Sequence, residues 1–374
     1  MMWLKNKMVG NIAALFLSVC IFLGMFEIIV RIFLPQRIET PLHYFAPDAE
    51  LGWKIKPNLN SKYTAADFSM LVKTNDRGFR DIAHTYEKDQ GTYRIVGIGD
   101  SMLFGHGVEN EEIVINRLQE LLSDKLDNAK KVEAINLGVS RYNVIQYDKS
   151  LRIEGARYKP DLVIMFYYVG NDWIQYARYA WGGVNKQGFL IGADTFFSFD
   201  SVRNFLAPIR FFLKSRSQAY MLVRDRVKGF LMKSKLMSIP VLDIYRKDFN
   251  LEKKCYFTLE KIKEVDRYCK NILQCHFILC IIPEKVQVRK PLLNLCINTY
   301  QLKLDDYDFM RPQHILVKYC LRNDIDFVDL AAALALAEEK EPVYLPIDWH
   351  WNKKGHLLAA HELFDHIRKK EIFN

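Results

Sequence analysis

From residue 93 onward, short apolar runs alternate with stretches in which apolar residues recur at helical spacing. The apolar runs lie at residues 94–99, 132–137, 161–169, 277–282 and 327–330. Helical spacing occupies residues 111–126, 144–158, 258–273, 311–322 and 353–369. The run at 161–169 does not alternate, which predicts a central strand covered on both faces. Strands and helices in this order predict an α/β fold with a mostly parallel, doubly wound sheet.

A long apolar segment precedes this region. Residues 8–26 contain no charge and nearly match the length of about 20 residues that a helix needs to span a bilayer. Lys5 and Lys7 favour a cytoplasmic N-terminus, although Arg31 on the far flank opposes it. No cleavage site of small residues follows the apolar core. We therefore expect residues 1–35 to form an uncleaved, single-pass signal anchor, with the main domain periplasmic or extracellular. A buried core helix is the alternative.

Two further segments differ from the rest in composition. Residues 36–90 are rich in turn formers and predict a small β-containing lead-in. The main domain, residues 91–374, is expected to carry an insertion at about 174–250, where the strand–helix alternation ends. Within it, residues 203–235 contain nine Lys or Arg and one acid, Asp225. Two interpretations stay open, a helical insertion with a solvated basic face and an interfacial helix on anionic lipid. No nucleic-acid motif accompanies the charge, so no nucleic-acid partner is expected.

Composition narrows the class of protein only modestly. The 374 residues are 50% hydrophobic and 26% charged, which is typical of a globular protein and excludes a wholly disordered or fibrous chain. The net charge of +9 permits attraction to anionic lipid, acidic polysaccharide or nucleic acid without choosing among them. The seven cysteines form no CxxC pair and have no histidine at metal-ligand spacing. We expect buried free thiols and no zinc site built on cysteine.

Candidate chemistry collects where the predicted strands end. Ser101 follows the first strand in a Gly-Asp-Ser tripeptide, Gly138 follows the second in Asn-Leu-Gly, and Asn171 follows the third in Gly-Asn-Asp. Asp348 stands two residues before His350, just ahead of the last predicted helix. Because the carboxyl ends of parallel strands share one sheet edge, we expect these residues to converge. Serine, histidine and carboxylate together are typical of nucleophilic acyl transfer.

This ordered set resembles the four sequence blocks of the GDSL/SGNH hydrolase superfamily, which is named for Ser, Gly, Asn and His. The resemblance runs from about residue 93 to the C-terminus and leaves 174–250 unmatched. It implies a three-layer α/β/α fold with a flavodoxin-like, mostly parallel sheet. Two positions depart from the family pattern. Met102 replaces the leucine of the name, and the acid lies two residues before His350 rather than the common three.

The resemblance also implies a role for each residue. Ser101 would be the nucleophile, His350 the general base and then acid, and Asp348 the group that orients the imidazole. The backbone N–H groups of Ser101 and Gly138, with the side-chain amide of Asn171, would form the oxyanion hole. No metal or organic cofactor is implied.

Other residues compete for these roles or could contact substrate. His106 and His356 are rivals of His350. His106 lies on the loop beside the serine and is a candidate substrate contact, whereas His356 falls within a predicted helix. Trp349 and Trp351 are candidate contacts that could stack on sugar rings, with packing as the alternative.

These expectations combine in a membrane-anchored serine esterase or acyl hydrolase that deacylates a glycan or lipid ester of the cell envelope. An O-acyltransferase that transfers an acetyl group to a polysaccharide is one alternative. A catalytically inactive binding or assembly protein of the same fold is another. The membrane would be contacted by the N-terminal helix and, in one interpretation, by residues 203–235. The sequence leaves the acyl group, the acceptor, the oligomeric state and any protein partner open.

Overall fold

The computed structural model describes residues 2–36, 38, 44–65, 67–124, 131–175, 181–184, 190–192, 207–233 and 240–372. The chain divides into two compact units. Residues 1–41 and 196–238 form the smaller unit, and residues 42–195 and 239–374 form the larger one. The ends of the basic segment, including Arg203 and Lys235, lie outside the described residues.

The elements are numbered along the chain. The strands are β1 (Phe45–Asp48), β2 (Gly52–Ile55), β3 (Asn60–Thr64), β4 (Ser69–Lys73), β5 (Thr92–Gly99), β6 (Lys131–Asn136), β7 (Leu162–Tyr168), β8 (Trp181–Val184), β9 (Leu190–Gly192), β10 (His276–Ile282) and β11 (Phe327–Asp329). The α-helices are α1 (Met2–Phe33), α2 (Ser101–Phe104), α3 (Val114–Ser123), α4 (Val144–Ile153), α5 (Asp172–Gln175), α6 (Ala207–Arg216), α7 (Gln218–Lys233), α8 (Pro240–Asp243), α9 (Leu251–Tyr268), α10 (Lys285–Val288), α11 (Lys290–Tyr300), α12 (Arg311–Asn323), α13 (Ala331–Lys340) and α14 (Lys353–Lys369).

Five parallel strands of the larger unit form one sheet, in the order β6-β5-β7-β10-β11. Counted along the chain within this sheet, the order is 2-1-3-4-5, the flavodoxin-like arrangement. In such sheets ligands bind beyond the carboxyl ends of the strands where the order reverses, which here lies between β5 and β7. The predicted α/β/α fold with a parallel, doubly wound sheet is confirmed.

Helices cover the sheet on both faces because its central strands are apolar throughout. All seven residues of β7 are buried, as the unbroken apolar run predicts. One face packs against the apolar sides of α4, α9 and α12, and the other against α3, α13 and α14. Polar side chains are therefore found where the strands end, and these are the candidates for chemistry.

The lead-in consists of two antiparallel hairpins, β1–β2 and β3–β4. Alternate residues of β2 and β4 are buried, which is the pattern of strands with one covered face. Trp53, Ile55, Met70 and Val72 are the buried members and join the hydrophobic core of the larger unit. The predicted β-containing lead-in is present and packs as part of this core.

In the smaller unit, α1 is long and apolar enough to cross a membrane over Gly10–Phe33, where its mean hydropathy is 2.5. Its C-terminal part holds the start of α7. The Glu27 carboxylate accepts hydrogen bonds from Ser217 Oγ and from the N–H groups of Gln218 and Ala219, at 2.8, 2.9 and 3.0 Å. A carboxylate at this position satisfies the free N–H groups of a helix start. Glu27 therefore ties the basic helix to the apolar one.

All seven cysteines are free thiols. Five of them are buried in the larger unit, namely Cys255, Cys269, Cys275, Cys280 and Cys320. Burial raises the pKa of the Cys280 thiol, so this sulfur stays protonated and packs as a small apolar group. These positions agree with the expected buried free thiols.

Candidate active site

Ser101 begins the short helix α2 directly after the central strand β5. Asp100 caps this helix, because its carboxylate accepts a hydrogen bond from the N–H of Met102 at 2.8 Å. Gly105 ends it in the left-handed conformation, with φ of 76°. A Cβ at Gly105 would lie 2.5 Å from Ile113, so the chain requires glycine there. Residues 99–108, the serine turn, thus hold Ser101 at the carboxyl edge of the sheet.

Asp348 and His350 lie on a loop that joins α13 to α14. This loop, residues 343–352, is called the histidine loop below. It folds back on itself, since the N–H of Leu345 donates to the carbonyl of His350 at 2.9 Å. Asn352 caps α14 by accepting hydrogen bonds from two N–H groups of its first turn, at 2.9 and 3.1 Å. The Asp348 carboxylate is therefore left to face His350.

Ser101, His350 and Asp348 form one hydrogen-bonded chain. The Nε2 atom of His350 lies 2.7 Å from Ser101 Oγ, and its Nδ1 atom is hydrogen-bonded to Asp348 Oδ1. Because Nδ1–H donates to the carboxylate, the neutral ring accepts the serine proton at Nε2. Burial alone would raise the pKa of Asp348, but the hydrogen bonds and charge of His350 hold that pKa below its usual range. An ionised carboxylate at this place can stabilise an imidazolium ion.

Gly138 contacts the serine turn closely. A Cβ at Gly138 would lie 2.6 Å from the backbone nitrogen of Phe104, so no larger residue fits without a shift. Its N–H donates to Oδ1 of Asn136 at 2.8 Å, and the amide of Asn136 donates to the carbonyl of Leu103 at 3.2 Å. The role of Gly138 as an oxyanion donor stays a prediction. Asn136, for which the sequence predicted no role, links the end of β6 to the serine turn.

Asn171 also lies beside the serine turn. Its Nδ2 donates one hydrogen bond to Asp100 Oδ2 at 3.0 Å, and the second N–H of this amide remains for another acceptor. Burial raises the pKa of Asp100, although the hydrogen bonds from Met102 and Asn171 oppose the shift. Asp100 therefore positions both Ser101 and Asn171 while lying outside the Ser101–His350 hydrogen bond.

A buried arginine of the lead-in fixes the serine turn. Arg80 is fully buried and donates to the carbonyls of Phe104, Gly105 and Val108, at 3.1, 2.5 and 2.6 Å. A buried guanidinium is stable only when several acceptors surround it. Nothing in the sequence marks Arg80 beyond its place at the end of the turn-rich stretch 75–80, among many other charged residues of the lead-in.

A buried lysine fixes the histidine loop in a similar way. The Lys285 ammonium donates to the carbonyls of Leu345, Pro346 and Asp348, at 2.6, 3.0 and 3.0 Å. Burial lowers the pKa of Lys285, and the nearby charge of Arg289 adds to this effect. Its position shortly after the end of β10 was the available signal, because this is another strand end on the same sheet edge.

The lead-in reaches the histidine loop as well. The Asp67 carboxylate, between β3 and β4, accepts hydrogen bonds from the N–H groups of Ile347 and Asp348, at 2.7 and 3.0 Å. Lys285 thus donates hydrogen bonds to three backbone carbonyls of the histidine loop, and Asp67 accepts hydrogen bonds from two of the backbone N–H groups of the same loop. Both backbone groups of Asp348 are therefore fixed, the N–H by Asp67 and the carbonyl by Lys285.

His106 lies next to His350, with ring centroids 4.5 Å apart. The rings of Phe68 and Tyr63 pack on it at 5.0 and 5.4 Å. Burial lowers the pKa of His106 to about 3, and the charge of His350 contributes. The ring is therefore neutral at physiological pH. The structure brings this predicted contact residue next to the hydrogen-bonded chain of Ser101, His350 and Asp348, and its role toward substrate stays a prediction.

The two tryptophans and the other rival histidine occupy different environments. Trp349 is 44% exposed, whereas Trp351 is fully buried, so Trp351 packs in the core instead of reaching a sugar ring. His356 is buried against Trp351, with ring centroids 5.4 Å apart. Its Nδ1 accepts the N–H of Val114 at 3.2 Å. His356 is thus a satisfied core residue.

Comparison with solved structures finds chains of esterase and lipase type. An acetylxylan esterase from Geobacillus stearothermophilus, in a catalytic-mutant form, matches at a TM-score of 0.41 and 12% identity, over 74% of this chain and 94% of that one. A lipase/acylhydrolase from Enterococcus faecalis matches at 0.37 and 14%, over 74% and 96%. A G-D-S-L family lipolytic protein from Desulfitobacterium hafniense matches at 0.36 and 14%, over 73% and 98%. No protein-family model and no curated protein matches the sequence.

Replacement of Lys285 by methionine should slow the reaction of Ser101 with a fluorophosphonate by about 10- to 100-fold, because small misplacements of reacting groups cost this much. The reaction rate is measured together with thermal unfolding. The matched control is Lys261→Met on α9, where the lysine pairs with Asp148 and Glu264 away from the site. Equal rates for both variants would show that Lys285 does not position the histidine loop.

Glu284, which precedes Lys285, provides a pH test. Burial raises the pKa of Glu284 from 4.5 to about 8, against the effect of the hydrogen bond from Tyr245. The folded state therefore binds a proton more tightly than the unfolded state, and this contribution to stability is full below pH 4.5 and is lost as the pH rises through about 8. Glu284→Gln should flatten the fall in melting temperature between these values. A variant that keeps the wild-type slope would contradict this assignment.

Proposed function

We propose that this chain is a membrane-anchored serine esterase or acyl hydrolase of the SGNH type. The observation that carries the proposal is the hydrogen-bonded chain from Asp348 through His350 to Ser101, with Nε2 2.7 Å from Oγ. The sheet order 2-1-3-4-5 supports it, because the serine, Gly138 and Asn171 follow neighbouring strands at the reversal point.

In the first half-reaction Ser101 Oγ attacks the ester carbonyl, and its proton passes to Nε2 of His350. The new bond between Oγ and the carbonyl carbon places a negative charge on the former carbonyl oxygen. The proposed donors to this oxygen are the N–H of Ser101, the second N–H of the Asn171 amide, and the N–H of Gly138, which would exchange its present acceptor, Asn136 Oδ1, for the oxyanion. Collapse of this intermediate breaks the ester bond, and His350 gives its proton to the leaving alcohol.

In the second half-reaction water loses a proton to His350 and attacks the acyl-serine. The bond to Oγ breaks, the acid leaves, and His350 returns the proton to Ser101. An O-acyltransferase would follow the same path with a sugar hydroxyl in place of water. The two activities therefore differ in the acceptor alone, and they share every residue named here.

The proposed substrate is an acylated glycan or lipid of the cell envelope, reached by a domain outside the cytoplasm. The apolar α1, with most side chains exposed, supports a membrane anchor. Lys5 and Lys7, which precede the uncharged stretch 8–26 within α1, support the outward orientation of the domain.

The basic helices α6 and α7 are proposed to lie on anionic headgroups beside this anchor. They carry exposed apolar side chains among their basic ones, namely Ile209, Phe212, Val223, Val227 and Phe230. Arg31 near the end of α1 donates to the carbonyl of Arg216 at 2.5 Å, and Glu27 caps α7. These bonds hold both helices at the end of the apolar segment, where a bilayer interface would be.

The catalytic assignment predicts a selective reaction with a fluorophosphonate probe. The full chain in detergent should be labelled at Ser101, and Ser101→Ala should abolish labelling. His350→Ala and Asp348→Asn should slow it by at least about 10,000-fold, as loss of a triad member does in other serine hydrolases. Ser123→Ala, at an exposed serine of α3, is the control and should label normally.

If Ser101→Ala were labelled as fast as the wild type, the assignment of Ser101 as the nucleophile would be wrong. A folded wild type without any labelling would favour the inactive binding protein. Once labelling is established, acetylated oligosaccharide separates the two acyl-transfer activities. Release of free acetate identifies a hydrolase, and an acetyl group on an added unacetylated glycan identifies a transferase.

The membrane proposal predicts a lipid-dependent position of α7. A polarity-sensitive dye at Phe230→Cys, in a Cys20→Ser background, should shift its emission to the blue in vesicles containing anionic lipid. Charge reversal at Arg224, Arg226 and Lys228 should remove this shift. Reversal of three exposed basic residues of the larger unit, Lys318, Arg322 and Lys340, should leave it unchanged. Equal emission maxima in anionic and neutral vesicles would contradict the proposal that α7 lies on anionic headgroups.

A further inference from the structure

Three side chains of the site lie close enough together to be metal ligands, and one of them takes no part in the proposed proton transfers. His106, Asp348 and His350 each offer one ligand atom, and these atoms lie within 4.8 Å of one another. The proposed proton transfers need Asp348 and His350, and none of them uses a second imidazole at this distance. The position of His106 therefore needs a separate explanation.

His106 is an unpartnered polar group. The residue is only 7% exposed, and neither of its ring nitrogens forms a hydrogen bond with the residues that the structure describes. Aromatic rings of Tyr63 and Phe68 cover it on the lead-in side, and His350 lies on the other. A neutral imidazole without a hydrogen-bond partner keeps the lone pair of one ring nitrogen available to a ligand or ion.

Two imidazoles and one carboxylate are ligands of zinc and related divalent transition metals. Zinc binds such atoms at about 2.0–2.2 Å, so ligands of a tetrahedral site lie about 3.3–3.6 Å apart. Side-chain movements of roughly 1 Å bring the three groups from their present separation to that distance. The fourth position would be open to water, as in zinc sites with three protein ligands.

We propose that His106, Asp348 and His350 bind a zinc-like divalent metal ion, and that this ion reversibly inhibits the site. Both ring nitrogens of His350 are already engaged, one by Ser101 and the other by Asp348. A metal ion takes a lone pair of the ring, so it displaces one of these partners. Metal binding and serine activation exclude each other. The inhibition rests on the proposed function, whereas the metal site itself does not.

The first test is the rate of fluorophosphonate labelling of the full chain with added Zn²⁺. Micromolar Zn²⁺ should inhibit, excess EDTA should restore the rate, and Mg²⁺ should have no effect because it prefers oxygen ligands. His106→Phe, which keeps a ring against Phe68, should raise the zinc concentration for half-inhibition at least tenfold. Each variant is compared with its own rate without zinc. His361→Phe, at an exposed histidine of α14, is the control.

The second test measures binding without activity. Zinc affinity is measured by competition with a chromophoric chelator for the wild type and for Ser101→Ala, His106→Phe and His361→Phe. Ser101→Ala should keep the site, and His106→Phe should lose one tight zinc. If the wild type does not label, this measurement still decides the metal site while the esterase proposal fails. Equal zinc binding by the wild type and His106→Phe, or equal inhibition of both, would overturn the inference.

Discussion

The hydrogen bond between Ser101 and His350 joins two loops that are 249 residues apart in the chain, and the acyl transfer proposed for the site depends on it. Neither loop is held by a regular ladder of backbone hydrogen bonds. A buried cation supports each of them, Arg80 for the serine turn and Lys285 for the histidine loop. A cation in a core is stable only when acceptors surround it, and a buried carbonyl is stable only when a donor meets it. The two requirements satisfy each other, and these bonds add to the short helix α2 and to the antiparallel bridge between Tyr344 and Trp351 in holding the loops.

The lead-in consequently belongs to the site as well as to the core. Arg80 contacts the serine turn, Asp67 contacts the backbone of the histidine loop, and Phe68 packs on His106. A segment that looks like a covering layer in the sequence thus touches both halves of the hydrogen-bonded chain. Arg80 also donates to the carbonyl of Leu71 in β4, so changes in the hairpin β3–β4 would be transmitted to both loops.

The sequence predicted those parts of the molecule that short patterns determine. The unbroken apolar run at 161–169 becomes the fully buried β7, and residues 353–369 form α14 with the predicted bounds. Arg80 and Lys285 could not be predicted, because their partners are backbone carbonyls far away in the chain and carry no side-chain signal. Trp351 shows that a residue beside candidate site residues in the sequence need not lie in the site. Its neighbours Asp348 and His350 face the site, but the turn of the histidine loop directs the indole into the core.

The three histidines of the larger unit that competed for one role differ in their partners, and the partners decide what each can do. His356 accepts a backbone N–H and packs on Trp351, so its lone pair is occupied in the core. His350 is held between a carboxylate and a hydroxyl, and only this arrangement makes a ring both oriented and able to receive a proton. His106 is buried, as His356 is, but it has no hydrogen-bond partner among the described residues. A free imidazole lone pair beside an oriented imidazole and a carboxylate has the chemistry of a metal ligand, and it lies where binding would compete directly with Ser101.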